Sequence, residues 1–195
     1  MMGWTASGLT EISHVQTGKW DANHATESGN YKFFTCAYDS FFCDTKKFSG
    51  DCLVLPGNGV NVGEVFYYSG EFDAYQRTYV VSDIQINPKF LFYHMKCFWR
   101  ERNLNKQFGA ATNYLKIGNF KDHEVAYPSL SEQKRIVAIL DEVFADIEQA
   151  RAKAEQNLLN TRELFESYLQ QVFSQRGEGW VDTNLGAVAE AEFIN

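Results

Sequence analysis

Pro128-Ser129-Leu130-Ser131-Glu132-Gln133-Lys134-Arg135-Ile136-Val137-Ala138-Ile139-Leu140-Asp141 divides the sequence into two kinds of text. Ser129 stands three residues ahead of Glu132, the spacing at which a hydroxyl and a carboxylate cap each other's backbone amides, so a helix starts here. Ile136, Leu140, Val143, Ile147, Ala150 and Ala154 then alternate at four and three residues, and Leu158, Phe165, Leu169 and Val172 continue the stripe after a shift in register. Gly177 marks the stop. This is the narrow seam of a coiled coil. At about 1.5 Å per residue, roughly 46 residues make a rod near 70 Å, longer than a domain of the size that precedes it. No second helix of that length is legible in the chain, so the seam predicts a partner helix. Packing of the helix back onto the preceding region is the competing reading.

Upstream of Pro128 the text is richer in rings and turns: 24 of the 30 aromatic residues and 11 of the 14 glycines precede it. Runs with strand composition cover Tyr31 to Thr35, Cys52 to Leu55, Glu64 to Tyr68 and Thr78 to Val81. Pro56-Gly57-Asn58-Gly59 and Ser69-Gly70-Glu71 supply reversals. Asn87 to Asn103 reads as a helix opened by Pro88, with Phe90, Leu91, His94, Met95 and Phe98 on its inner face. The fold class is therefore α+β, a β-rich globular domain over 1–127 followed by one long coiled-coil helix over 128–176. Residues 177–195 begin again: Trp180, Leu185 and Val188 are spaced like Trp4, Leu9 and Ile12, as in a repeat whose second copy is cut short.

The chain's 195 residues, 45% hydrophobic and 22% charged, suffice for one sizeable core and exclude disorder. No apolar run is long enough to span a bilayer, and Met1 to His14 lacks the layout of a signal peptide, so the expectation is a soluble, cytoplasmic protein. The net charge of −7 weighs against a phosphate-binding surface until it is divided. Residues 1–127 carry 12 basic and 13 acidic side chains, whereas 128–195 carry 6 and 12. The acidity belongs to the long helix and the carboxyl-terminal residues. A basic face on the first region is therefore allowed.

No catalytic constellation emerges. Cys36, Cys43, Cys52 and Cys97 fit no zinc spacing and read as buried free thiols. His14, His24, His94 and His123 are scattered, and no serine or cysteine sits in a nucleophile elbow. Asn87-Pro88-Lys89-Phe90 lacks the second proline of the N-P-P-[YF] tetrapeptide of amino-methyltransferases, and Gly57 to Gly63 does not fit G-x-G-x-x-G, so helix initiation accounts for Asn87 and Pro88. Glu132-Gln133-Lys134 resembles half of a nuclease site but reads as capping and solvation. What remains is chemistry suited to DNA. Gln76, Arg77, Asn58, Asn61, Arg100 and Arg102 can offer donors and acceptors to base edges or grooves, with Asn103 and Gln107 beside the arginines, and Lys32, Lys46, Lys47 and Lys106 suit phosphates. Lys96, Arg100, Arg102 and Lys106 form a positive cluster opposed only by Glu101, for which an ordinary solvated helix face is the competing account.

The run Tyr127 to Asp141 resembles the conserved region of the specificity subunit of type I restriction-modification systems. That family places P-x-L-x-E-Q-x-x-I where a target recognition domain meets a long helix. Asn157-Leu158, Glu163-Leu164-Phe165 and a Trp-x4-Leu-Gly restart come next here as they do there. Upstream, Gly50 to Leu55 and Phe72 to Tyr79 resemble segments of its recognition domains, so the likeness covers nearly the whole chain. It implies a non-catalytic scaffold that reads one half of a bipartite double-stranded DNA target. The helix would pair antiparallel with a second conserved helix, set the spacer and dock the modification subunits, which hold S-adenosylmethionine and methylate adenine; this chain would need no cofactor or metal itself. Restriction subunits would join through the complex. The chain departs from the pattern by stopping inside the second domain, a half-length arrangement that would leave its helix to pair with another copy in a two-fold homodimer.

Two other readings use the same residues. One is the recognition part of a combined restriction and methyltransferase enzyme. The other is a protein-interaction module bound by an anti-restriction factor. Steep salt dependence of DNA affinity separates the DNA-reading scaffold from the interaction module.

Overall fold

A computed structural model describes residues 3–103, 113–184 and 186. The strands are β1 (Thr5–Gly8), β2 (His14–Thr17), β3 (Tyr31–Phe34), β4 (Phe41–Cys43), β5 (Asp51–Pro56), β6 (Phe66–Ser69), β7 (Phe72–Ala74), β8 (Thr78–Ser82) and β9 (Glu124–Tyr127). The helices are α1 (Pro88–Asn103), α2 (Ile117–Lys121) and α3 (Leu130–Ser174).

The run Cys52-Leu53-Val54-Leu55 is apolar at every position because β5 is covered on both faces. It lies inside an antiparallel sheet ordered β2-β8-β5-β6. Leu53 and Leu55, with Val81 of β8, face a core built on Phe90, Leu91, Met95 and Trp99 of α1, Phe120 of α2 and Val137 of α3. Cys52 and Val54, with Val80, face the other way onto Phe48, Phe72 and Ala74. That second layer is a small sheet ordered β4-β3-β7, in which β3 runs antiparallel to β4 and parallel to β7. β1 and β9 form a separate antiparallel pair, Thr5 opposite Tyr127 and Gly8 opposite Glu124.

The α+β class stands, with boundaries shifted for physical reasons. α1 starts as expected: the Asn87 side-chain oxygen accepts the Phe90 amide at 3.0 Å, satisfying one of the free donors at the helix start. Its inner face takes in Trp99, fully buried, while Phe98 is exposed, because Leu91, Met95, Trp99 and Asn103 at intervals of four form the buried row. The thiols divide as well: Cys43 and Cys52 are buried, Cys36 is half-buried and Cys97 is exposed on α1.

α3 ends at Ser174, three residues before Gly177. At its start Ser129 Oγ accepts the Glu132 amide at 3.4 Å, while the Glu132 carboxylate takes the Arg135 guanidinium at 2.7 and 2.8 Å. Solvation does not describe Gln133. Its amide is 3% exposed, accepts the Asn87 N–H at 2.8 Å and donates to the Pro128 carbonyl at 2.8 Å, so α3 is stitched to the start of α1.

One compact unit runs Met1–Asp141, taking in the first three turns of α3, and a second runs Glu142–Asn195. In the first, Val137 is buried in the core, and Ile136, expected on the partner-facing seam, is half-buried against it. Leu140, also expected on the seam, lines an apolar hollow of about 200 Å³ with Trp4, Phe90, Tyr93, His94, Cys97, Phe98 and Ile136. Both seam residues are partly covered here, on the stretch of α3 that Lys89 and Tyr93 of α1 tie down by hydrogen-bonding Asp141. In the second unit the remaining seam residues, Val143, Ile147, Ala150, Ala154, Leu158, Phe165, Leu169 and Val172, are all exposed. Trp180, the start of the expected restart, is half exposed and lies 6.1 Å from Phe173; Leu185 and Val188 fall outside the described residues.

Candidate nucleic-acid interface

β7 and β8 are joined by a tight turn, closed where the Thr78 amide donates to the Tyr75 carbonyl at 2.9 Å. Its two central residues are Gln76 and Arg77, both exposed. Beside it the loop after β5 comes within hydrogen-bond range, Gly57 N–H meeting the Arg77 carbonyl at 2.9 Å. A side chain at position 57 would collide, since an added Cβ would lie 2.2 Å from that oxygen. The segment ahead of α2 completes the floor: Gly59 N–H donates to the Asn113 carbonyl at 2.9 Å, Leu115 N–H donates to the Gly57 carbonyl at 2.8 Å, and Asn58 pairs with Tyr114. The result is a hollow of about 120 Å³ lined by Thr17, Gly57, Asn58, Gln76, Arg77, Tyr79, Tyr114 and Leu115.

Three of the residues chosen for base contact, Asn58, Gln76 and Arg77, therefore share one concavity although two turns carry them. Together they offer an amide acceptor, amide donors and a guanidinium fork, the set that distinguishes adenine from guanine in the major groove. No carboxylate pairs with Arg77 among the described residues. Asn61, on the same loop, turns inward and donates to the Cys36 carbonyl at 2.9 Å, which ties β3's exit to the floor.

The lysines sit elsewhere, on and around the small sheet. Lys32 lies 4.3 Å over the Phe42 ring, Lys46 lies 5.3 Å over Tyr31 and pairs with Glu71, and Lys47 donates to the Thr17 carbonyl at 2.7 Å with Phe48 beneath it. The Glu71 hydrogen bond holds the Lys46 ammonium above its ordinary pKa, whereas burial, then the Lys19 charge, lowers that of Lys47. The basic face of α1 is quieter than its composition implied. Lys96 and Arg100 share Glu64 at 3.3 and 3.4 Å, and Arg102 donates to the Glu124 carbonyl at 2.6 Å with Phe98 beneath its guanidinium. Lys106 and Gln107 lie outside the described residues.

No motif marks Trp20 and Asp21 in the sequence, yet they adjoin the Gln76 turn: the Gln76 backbone N–H donates to the Trp20 carbonyl at 2.9 Å, and the Gln76 side chain donates to Asp21. Gly-Lys-Trp-Asp in a polar stretch has no period to mark it. Only tertiary pairing with Tyr75 gives it a place.

The family described as Type I restriction modification DNA specificity domain matches residues 1–156. The chain is 37% identical over 153 residues to the type I restriction enzyme EcoDI specificity subunit of Escherichia coli, a match covering 78% of this chain and 34% of that protein. The S subunit of a type I restriction-modification system from M. genitalium superposes with a TM-score of 0.65 at 20% identity, over 89% of this chain and 46% of that one. A chain from a study of complex assembly and conformational transition of the type I R-M system gives 0.64 at 20% identity, over 82% and 43%. At that identity the two structures show the fold. The chain spans about a third of the curated relative's length and under half of each solved chain. Among the described residues no helix is long and apolar enough to cross a membrane, and no cluster of His, Cys, Asp and Glu has metal-holding geometry. The matched region spans the sheet, the hollow beneath the Gln76 turn and the opening turns of α3, and on that ground the chain belongs to the type I restriction-modification DNA specificity domain family.

Proposed function

We propose that this chain reads one half of a bipartite duplex DNA target for a type I restriction-modification complex, without catalytic chemistry of its own. The convergence of Asn58, Gln76 and Arg77 on one hollow carries the reading, because two separate turns deliver complementary base-edge groups to a single place. Lys32, Lys46 and Lys47 would meet phosphates by loosening their aromatic and carboxylate contacts. On the basic face of α1, Arg100 and Arg102 would do the same, with Lys106 beyond them. α3 pairs antiparallel with a second such helix, sets the spacing between half-sites and docks modification subunits that bring S-adenosylmethionine, with restriction subunits joining through that assembly. Its exposed row from Val143 to Val172 supports this, since apolar side chains at seam spacing stand open to solvent. A second copy can supply the partner helix, giving a homodimer and a symmetric interrupted target.

Sedimentation of the purified chain, alone and with modification subunits, followed by DNA protection, tests the whole scheme. A dimer that recruits the methyltransferase and protects a symmetric interrupted site is expected. A monomer that recruits nothing and binds no DNA would overturn it.

A further inference from the structure

Trp20 is an unusual surface residue, because 41% of it is exposed while every handle on it is held. Its indole N–H donates to Asp73 Oδ2 at 3.0 Å, and Asp73 is a carboxylate only 2% exposed. That carboxylate also accepts from Thr45 Oγ1 at 2.8 Å and, through its other oxygen, from the Ala74 amide at 2.9 Å. One ring face lies on His24, centroids 4.1 Å apart and planes 4° from parallel, and His24 in turn hydrogen-bonds Thr45 at 2.8 Å. The backbone leading to it is just as fixed: at Gly18 an added Cβ would sit 1.7 Å from the Ala74 carbonyl, so only glycine lets this segment run against β7.

A core tryptophan would bury its ring, and an incidental surface tryptophan would not have a buried carboxylate built beneath it. The cost of ordering this ring is met before any ligand arrives, as in pre-organised recognition sites. Its neighbours say which ligand. Trp20 pairs with Tyr75 and leads directly into Asp21, which holds Gln76. The Asp21 bond fixes the Gln76 amide so that its oxygen and second N–H stay available to a base edge.

Resting on the DNA-reading role proposed above, we infer that Trp20 is a specificity-determining residue of the half-site, an apolar platform for a thymine 5-methyl group next to the base read by Gln76. Asp73 is its positioning residue. Thymine's methyl is the apolar feature of the major groove, and a rigid indole beside an amide is suited to it.

Selection from a randomised duplex pool by the full chain, in the assembly that sedimentation defines, tests this, followed by uracil-for-thymine substitution at each selected position. The wild type should select a thymine at one position, and uracil there should weaken binding about fourfold, the worth of one methyl. Trp20→Ala should lose both effects and leave the salt slope unchanged, since no phosphate charge is removed. Trp20→His keeps a flat ring for His24 while presenting a polar edge, so it should lose the uracil effect even if Trp20→Ala does not fold. A wild-type preference and uracil response retained in a folded variant would overturn the inference. So would a uniform loss across all duplexes, or lost recruitment of modification subunits with the preference intact, which would make Trp20 a structural or protein contact. If the wild type selects no sequence while binding modification subunits, the DNA-reading role itself falls.

Discussion

Gln133, itself buried, holds two backbone groups at a helix start, and its removal leaves both without that partner. Gln133→Leu should lower stability by about 2–3 kcal/mol in urea denaturation, the cost of stranding the Asn87 N–H and the Pro128 carbonyl. His94 sets a different sensitivity. Its ring lies 4.9 Å from Phe98 and 5.6 Å from His123, its Nδ1 has no hydrogen-bond partner among the described residues, and burial, helped by the Arg102 charge, pushes its pKa down to about 4 from 6.5. The unfolded chain therefore takes up the proton first, so this contribution is complete above about pH 6.5 and is lost as pH falls toward 4, on the order of 3 kcal/mol. Unfolding free energies between pH 7 and 4 should show this slope, and His94→Phe should flatten it. A sequence reading treats Gln133 as solvated and His94 as merely apolar-facing because polar residues carry no periodic mark. Their roles depend on partners that are 46 residues away for Gln133 and 29 for His94.

Among the elements, those that declare themselves locally were legible. β5 and β8 bury alternate residues on opposite faces, and α1 and α3 carry cap and repeat signals within their own length. β4 and β7 have three residues each, too few for any alternation to emerge, and β7 exists because it lies parallel to β3 across the chain. The α1–α3 junction was likewise hidden. Asp141 accepts from Lys89 at 2.7 Å and from Tyr93 at 2.6 Å; the Lys89 bond, then that of Tyr93, holds its carboxyl below the usual 3.8. Its contribution is present above about pH 3.8 and is lost as pH falls through the lowered value. Both charged side chains are more than a third exposed, so Asp141→Asn should cost under about 1 kcal/mol in thermal unfolding. Of the candidate interface, the Asn58 loop is legible as turn chemistry, while Gln76 and Arg77 are legible only as side chains suited to base edges. That they meet is not legible, since the Gly57 to Arg77 hydrogen bond crosses from one strand end to another.

At the scale of the whole molecule, the two units make separable predictions. Substituting Ile147 and Leu158 together with aspartate places charge on the exposed seam without touching the Met1–Asp141 core. Self-association measured by sedimentation should weaken by on the order of tenfold or more, with the melting of the first unit unchanged. Arg77→Ala belongs to the other unit. It should alter which duplexes are preferred, and lower the salt slope by about 1 only if the guanidinium also meets a phosphate. The pairing of β1 with β9 has a wider consequence. Thr5 lies opposite Tyr127, and Pro128 and Leu130 come at once after it, so the first and last strands of the β-rich body are neighbours. Ends held side by side in this way give a body the geometry that tolerates exchange or circular permutation, because a substitute has to match the chain at one place on its surface.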